Sequence, residues 1–252
     1  MMNDFLLNRA KQLKLHGLVA HWNEVENSVE IEKLLQWEET EHTDRGLKNR
    51  LRLSKLESFK SLAEFDWGWP RQCDRELIEE LMQLNFIKEA ANIILLGPNG
   101  VGKSTIACNI VYQSILNGYR ACSVTASKML NDLTSQDGDN ALSRRLKYYA
   151  SQPLLYIDEI GYLSYSNRHA DLLFDIISRR YKKRSTIITT NKPFVEWDQI
   201  FPNASCVISL IDRLIHKSEM VTIDADSYRL KESKERVEAR KKTRIKKVSH
   251  PT

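Results

Sequence analysis

Long apolar runs are missing from this 252-residue chain. No stretch approaches the ~20 residues that cross a bilayer as a helix. The start, MMNDFLLNRAKQLKLHG, lacks an apolar core followed by a small-residue cleavage site, so no secretion signal is expected. Cysteine is scarce: Cys73, Cys108, Cys122 and Cys206 are scattered, with no C-x-x-C pair. That argues against a zinc site or a disulfide framework and fits a reducing cytoplasm. Residues 1–65 hold no proline and only two glycines, Gly17 and Gly46. Little there interrupts a helix.

What is present is ordinary in amount and uneven in placement. The hydrophobic fraction of 42% and charged fraction of 28% suit a globular chain with one sizeable core and a smaller module. The net charge of +5 is not spread evenly. Residues 1–69 carry 10 Lys/Arg against 12 Asp/Glu, and residues 70–228 carry 18 against 18. Residues 229–252 carry 10 against 3. A tail that supplies the whole excess points to a polyanion such as nucleic acid, or else to a solubilising segment.

Apolar residues recur at helical spacing near the start, as Leu6, Leu7 and Leu13, then Ile31, Leu34 and Leu35, then Leu47 and Leu51. The pattern predicts a small all-helical domain over 1–66, with WGWP at 67–70 as a linker and a helix near 74–84. Beyond it, short apolar runs alternate with helical stretches. Strands are predicted at 92–96, 121–125, 154–157, 186–190 and 221–223. This is the pattern of an α/β domain, a parallel sheet flanked by helices, over 67–230, with a basic tail over 231–252.

The first of these strands runs into GPNGVGKST, residues 97–105, and a helix follows. Gly97, Gly100, Gly102, Lys103 and Ser104 satisfy the G-x-x-x-x-G-K-[ST] spacing of a P-loop. Gly97, Pro98, Asn99, Gly100, Val101 and Gly102 are the expected phosphate-binding loop, whose backbone N–H groups (Pro98 has none) can face phosphates beside the positive end of the helix. Lys103 should reach the β- and γ-phosphates of ATP. The Ser104 hydroxyl should bind Mg²⁺, and Thr105 should sit near the α-phosphate. At 154–159, LLYIDE ends a buried strand in two acids. Asp158 can hold the Mg²⁺ shell, and Glu159 can polarise a water aimed at the γ-phosphate. Asn191 follows the next strand, where it can hold that water or simply make a turn. Arg213, in SLIDRLIHKS, and Arg229, in ADSYRL, can each neutralise phosphoryl charge or form an internal ion pair.

With these residues assembled, the chain resembles the AAA+ ATPases of the initiator and helicase-loader clade, and within it the IstB-like transposition helper ATPases. The likeness runs through KLHGL, an acidic-then-basic segment at 38–52, SLAEFDW, NIILLGPNGVGKS, LLYIDEIGYL, LLFDIISRRY, TIITTNKPFVEW, IDRLIHKSEMVTI and DSYRL, in that order. The resemblance implies that Asp158 and Glu159 are a Walker B pair and Asn191 the sensor 1 residue. It implies that Arg213 is an arginine finger acting on a neighbour's γ-phosphate and Arg229 the second sensor. It also implies a homo-oligomer with nucleotide sites at subunit interfaces, duplex DNA as a ligand and a transposase as partner. Three features depart from the family's wording. The loop reads like that of an ABC ATPase, although no LSGGQ-like signature is present. TTN stands for the expected TSN, and no glycine precedes Ser227 by two residues. Only 61 residues follow Asn191, too few for a full helical lid.

Three basic elements compete for DNA. Arg45, Lys48, Arg52 and Lys55 fall on one predicted helix face, with Leu47 and Leu51 roughly opposite. Arg144, Arg145 and Lys147 lie in SRRLKYY, before the Walker B strand. The tail is the third. Each is also readable as a solvated face. The expected function is a cytoplasmic, DNA-dependent ATPase that assists transposition. The alternatives are a helicase loader of the DnaC type, a small-molecule kinase (for which no lid segment is visible) and a non-hydrolysing nucleotide switch.

Overall fold

A computed structural model describes residues 2–26, 28–162, 165–201 and 205–248. The last four residues of the expected tail, 249–252, lie outside the described residues. The chain forms two compact units, residues 1–52 and 53–252. Residues 53–66, read from sequence with the N-terminal module, pack with the second unit.

The first unit is helical throughout. It contains α1 (Met2–Gln12), α2 (His16–Ala20), α3 (Trp22–Val25) and most of α4 (Ile31–Ser54). Leu6 and Ala10 from α1, Trp22 from α3, and Ile31 and Leu35 from α4 form its buried core. Arg9 donates two 2.7 Å bonds to Glu39, fixing α1 to α4. Arg45, Lys48 and Arg52 are exposed on α4, with Leu47 and Leu51 half-buried. Lys55 does not continue that stripe. It stands one residue past the helix with φ 54°, a left-handed conformation that ends the helix.

In the second unit, α5 (Arg75–Leu81) starts from Asp74, whose side chain accepts from the Leu77 N–H at 2.9 Å. The short α6 (Asn85–Lys88) leads into β1 (Asn92–Leu96), and α7 (Lys103–Leu116) follows the loop. Then come β2 (Ala121–Thr125), α8 (Ala126–Thr134), α9 (Asp139–Ala150), β3 (Leu154–Ile160) and α10 (Asn167–Arg180). The chain ends with β4 (Ser185–Thr190), α11 (Trp197–Ile200), α12 (Val207–Ile215), β5 (Ser218–Thr222) and α13 (Tyr228–Val248). The sheet order is β2-β3-β4-β1-β5, and every strand pairing is parallel.

Ile93, Ile94, Leu95, Leu154, Leu155, Ile157, Ile187 and Ile188 are all buried. Helices therefore cover both sheet faces, as continuous apolar strands require. Parallel strands bring all their C-terminal ends to one edge. The loop after β1, the acids of β3 and Asn191 after β4 meet there, at the crevice where open α/β sheets bind ligands.

Candidate functional site

The phosphate loop owes its shape to its neighbours. Gly102 precedes α7 with φ 103°, and a Cβ there would stand 2.5 Å from the Phe65 ring. No side chain caps α7, so its first-turn N–H groups face the loop. Asn99 to Thr105 line a cavity of about 510 Å³ together with Asp158, Glu159, Asn191 and Arg229. Gly97 and Pro98 take part through their carbonyls, which accept from Lys103 Nζ at 2.7 and 2.6 Å. Burial pulls the Lys103 pKa down to about 8, and the Arg229 charge acts the same way against Asp158 and Glu159.

Ser104 Oγ donates to Asp158 Oδ1 at 3.1 Å, so the two expected magnesium ligands already face each other. Thr189 Oγ1 donates to the same carboxylate oxygen. It also accepts from the Glu159 N–H at 2.8 Å. Glu159 sits at an irregularity in β3 with φ 62°. Asn191 Oδ1 is buried and has no hydrogen-bond partner among the described residues. A buried acceptor of that kind calls for a donor, which a water or a phosphate-bound proton can supply.

The cavity's outer wall was not foreseen. Residues 57–69 reach it beside the first turn of α13, and Asn109 holds this segment by bonding Lys60 O at 2.9 Å and the Leu62 N–H at 3.1 Å. Lys231 pairs with Asp66 at 2.9 Å, Lys60 pairs with Glu232, and Trp69 Nε1 donates to Asp226 O at 2.9 Å. These contacts bracket Arg229. Trp69 of WGWP lines the pocket, and Trp67 and Trp69 pack against Phe65 and Tyr228, so this segment is packed rather than a free linker.

Two expected site residues lie elsewhere. Arg213 is outside the cavity, on α12, with its guanidinium 4.4 Å from the Phe174 ring centroid and bonded to Ser178. Arg145 faces inward. It pairs with Asp132, donates to Tyr149 Oη at 3.2 Å and lies 4.5 Å from the Tyr148 ring centroid. The Arg145 side chain is 28% exposed, and a contact with DNA phosphate would compete with these intramolecular partners. Arg144 and Lys147 are exposed.

The residues present fit a nucleoside triphosphate with magnesium. The glycine turns leave room for phosphates, Lys103 and Arg229 supply cations, and Ser104 with Asp158 offers hard oxygen ligands. Fold and site together define a P-loop ATP-binding domain of the AAA+ type. A family model described as "IstB-like ATP binding protein" matches residues 8–236. The chain belongs to that family.

Relatives agree. The ATP-binding protein of insertion sequence IS5376 from Geobacillus stearothermophilus is 35% identical over 209 residues, 83% of this chain and 83% of that protein. The IS21 ATP-binding protein of Pseudomonas aeruginosa is 35% identical over 200 residues, 79% and 76% of the two chains. Among solved structures, the replication initiator DnaA bound to AMPPCP and single-stranded DNA superposes with a TM-score of 0.57 at 21% identity, over 73% of this chain and 56% of that one. DnaI gives 0.54 at 17% identity, over 66% and 89%. These two likenesses are of fold. Among the described residues, no helix is long and apolar enough to cross a membrane.

Proposed function

We propose that this chain hydrolyses ATP and that its ATP-bound form assembles on duplex DNA to assist a partner transposase. One observation carries the reading. Lys103, the Ser104–Asp158 pair, Glu159, Asn191 and Arg229 converge on a single cavity in a chain of the IstB-like family. Relatives encoded in insertion sequences support the link to transposition.

In this mechanism Lys103 exchanges its two loop carbonyls for phosphate oxygens. Ser104 Oγ and Asp158 would hold Mg²⁺, which would supply neutralisation of phosphate charge. Glu159 accepts a proton from water as it attacks, and Asn191 Oδ1 orients that water. Arg229 steadies the phosphoryl group from the α13 side. Arg213 serves a neighbour's site, since it does not reach its own. Arg45, Lys48 and Arg52 on α4, Lys55 beside it, Arg144 and Lys147 on α9, and the basic α13 offer sequence-tolerant phosphate contacts.

The test is ATP-dependent assembly on duplex against single-stranded DNA of equal length, followed by light scattering at fixed salt. Duplex-preferring assembly that requires ATP and is lost in Lys103→Ala is the expected result. Assembly only on single strands would indicate a helicase loader. Binding indifferent to ATP and to Lys103 would reduce the DNA interaction to charge attraction by the basic helix. Turnover that survives Glu159→Gln would remove the general base.

A further inference from the structure

Residues 157 and 160 of β3 pair with 188 and 190 of β4. Two residues, Asp158 and Glu159, therefore stand opposite one, Thr189. That is the count of a β-bulge, in which ladder bonds are interrupted and the backbone is re-aimed. Glu159 takes a left-handed φ of 62° there, a conformation disfavoured for a residue with a Cβ. A strained backbone persists only where its surroundings hold it.

Thr189 supplies that hold. Its hydroxyl accepts the Glu159 N–H at 2.8 Å, the donor that the bulge takes out of the ladder. The same hydroxyl donates to Asp158 Oδ1. An ionised carboxylate only accepts and an amide N–H only donates, so both bonds need one group that does both. Thr189 is 1% exposed, which keeps water from replacing it. Strand β4 ends at the next residue, Thr190, and Asn191 follows it directly. The end of this strand thus places the hydroxyl that fixes the acids two residues from the amide that faces the cavity.

We propose that Thr189 is a positioning residue for ATP hydrolysis, one that locks the Asp158–Glu159 bulge so that the Glu159 carboxylate points at the attacking water. This rests on the reading of Glu159 as general base. Thr189 borders the cavity, but its hydroxyl is engaged by the Glu159 N–H and Asp158 Oδ1, so it acts through these two acids. Serine can replace it; valine, of the same shape without the hydroxyl, cannot.

The experiment compares wild type, Thr189→Val, Thr189→Ser and Glu159→Gln in the full-length chain. Thr189→Ala serves as a second hydroxyl-free variant if valine does not fold. Hydrogen–deuterium exchange resolved to single residues across 154–162, without nucleotide, reads the Glu159 amide. It is expected to quicken in the valine variant and return to the wild-type rate in the serine variant. Steady-state turnover is expected to show kcat reduced about a hundredfold in valine, the lower end of what a positioned general base supplies. KM and the dissociation constant of a fluorescent ATP analogue should change far less than kcat, because the Thr189 hydroxyl is committed to Glu159 and Asp158. Serine should restore kcat. Unchanged exchange in the valine variant, or unchanged kcat while Glu159→Gln is inactive, overturns the proposal. A wild type that does not hydrolyse ATP, or a fully active Glu159→Gln, overturns the hydrolysis reading and with it the catalytic consequence. The exchange arm still separates the two failures.

Discussion

Lys103 holds its proton less firmly than a free lysine does. Its pKa is lowered to about 8, chiefly by burial and then by the Arg229 charge, with Asp158 and Glu159 opposing. A triphosphate in the loop sets negative charge against Nζ and raises that pKa. The sign of the pH dependence follows by linkage. Below about pH 8 the lysine is already charged and binding takes up little proton. Above it, ATP must bind with proton uptake, and apparent affinity falls as pH rises until the bound-state pKa is passed. Calorimetry in two buffers of different ionisation enthalpy checks this. A fractional proton should be absorbed per ATP on the alkaline side, and Lys103→Met should abolish the uptake together with most of the affinity. The loop and the two acids were legible because their residues are contiguous and their spacing is itself the chemistry. Arg145 and Thr189 were not. Arg145 depends on Asp132, which lies on another helix 13 residues earlier. Thr189 depends on a bulge that no strand pattern announces.

At the level of elements, the end of α10 carries a less visible constraint. Arg180 is 1% exposed and, among the described residues, has no carboxylate among its bonding partners. Its guanidinium donates to the carbonyls of Tyr149, Ala150 and Gln152 at 3.1, 3.2 and 2.7 Å. It also bonds Thr186 Oγ1 at 3.0 Å and the Ser185 carbonyl. It thus caps the C-terminal end of α9, where the carbonyls lack helical partners and the dipole is negative, and ties it to the start of β4. Burial pushes its pKa down, and Arg184 adds to that. Arg180→Met keeps the stem and strips the donors, leaving buried carbonyls unpaired at about 1–3 kcal/mol each. A loss of about 3 kcal/mol or more is expected by urea unfolding of the full chain. The ATP dissociation constant should be unchanged while the protein stays folded, since the cavity lies at the opposite ends of the strands. Elements with apolar strands, β1 and β2, were predicted to the residue. The edge strand β5 begins at Ser218 rather than Val221, because Ser218 and Glu219 sit on a half-solvated edge and break the apolar run. Residues 57–69 form a pocket wall through long-range pairs to α13, and such pairs leave no local pattern to read.

For the whole molecule, Arg213 poses the decisive question, because it packs on Phe174 and Ser178 and does not line the cavity of its own chain. An arginine that serves a neighbour makes each site a composite of two subunits joined head to tail. Arg213→Ala should then bind ATP normally as an isolated chain and lose turnover about a thousandfold in the assembly, the scale of an arginine finger. Loss of turnover alone does not separate a neighbour's residue from a chain's own. Mixing does. The Arg213→Ala chain keeps an intact cavity, and the Glu159→Gln chain keeps an intact finger. When the two inactive variants are mixed in equal amounts, random assembly places a good cavity beside a good finger at about a quarter of the junctions. Turnover of about a quarter of wild type is therefore expected to reappear on DNA if the site is shared. If Arg213 acts within its own chain, every subunit carries one defect and the mixture stays as inactive as its components. The same mixture with Lys103→Ala in place of Glu159→Gln should behave alike only if nucleotide-free subunits still enter the assembly, so the pair of mixtures separates a shared site from a requirement for ATP at every position.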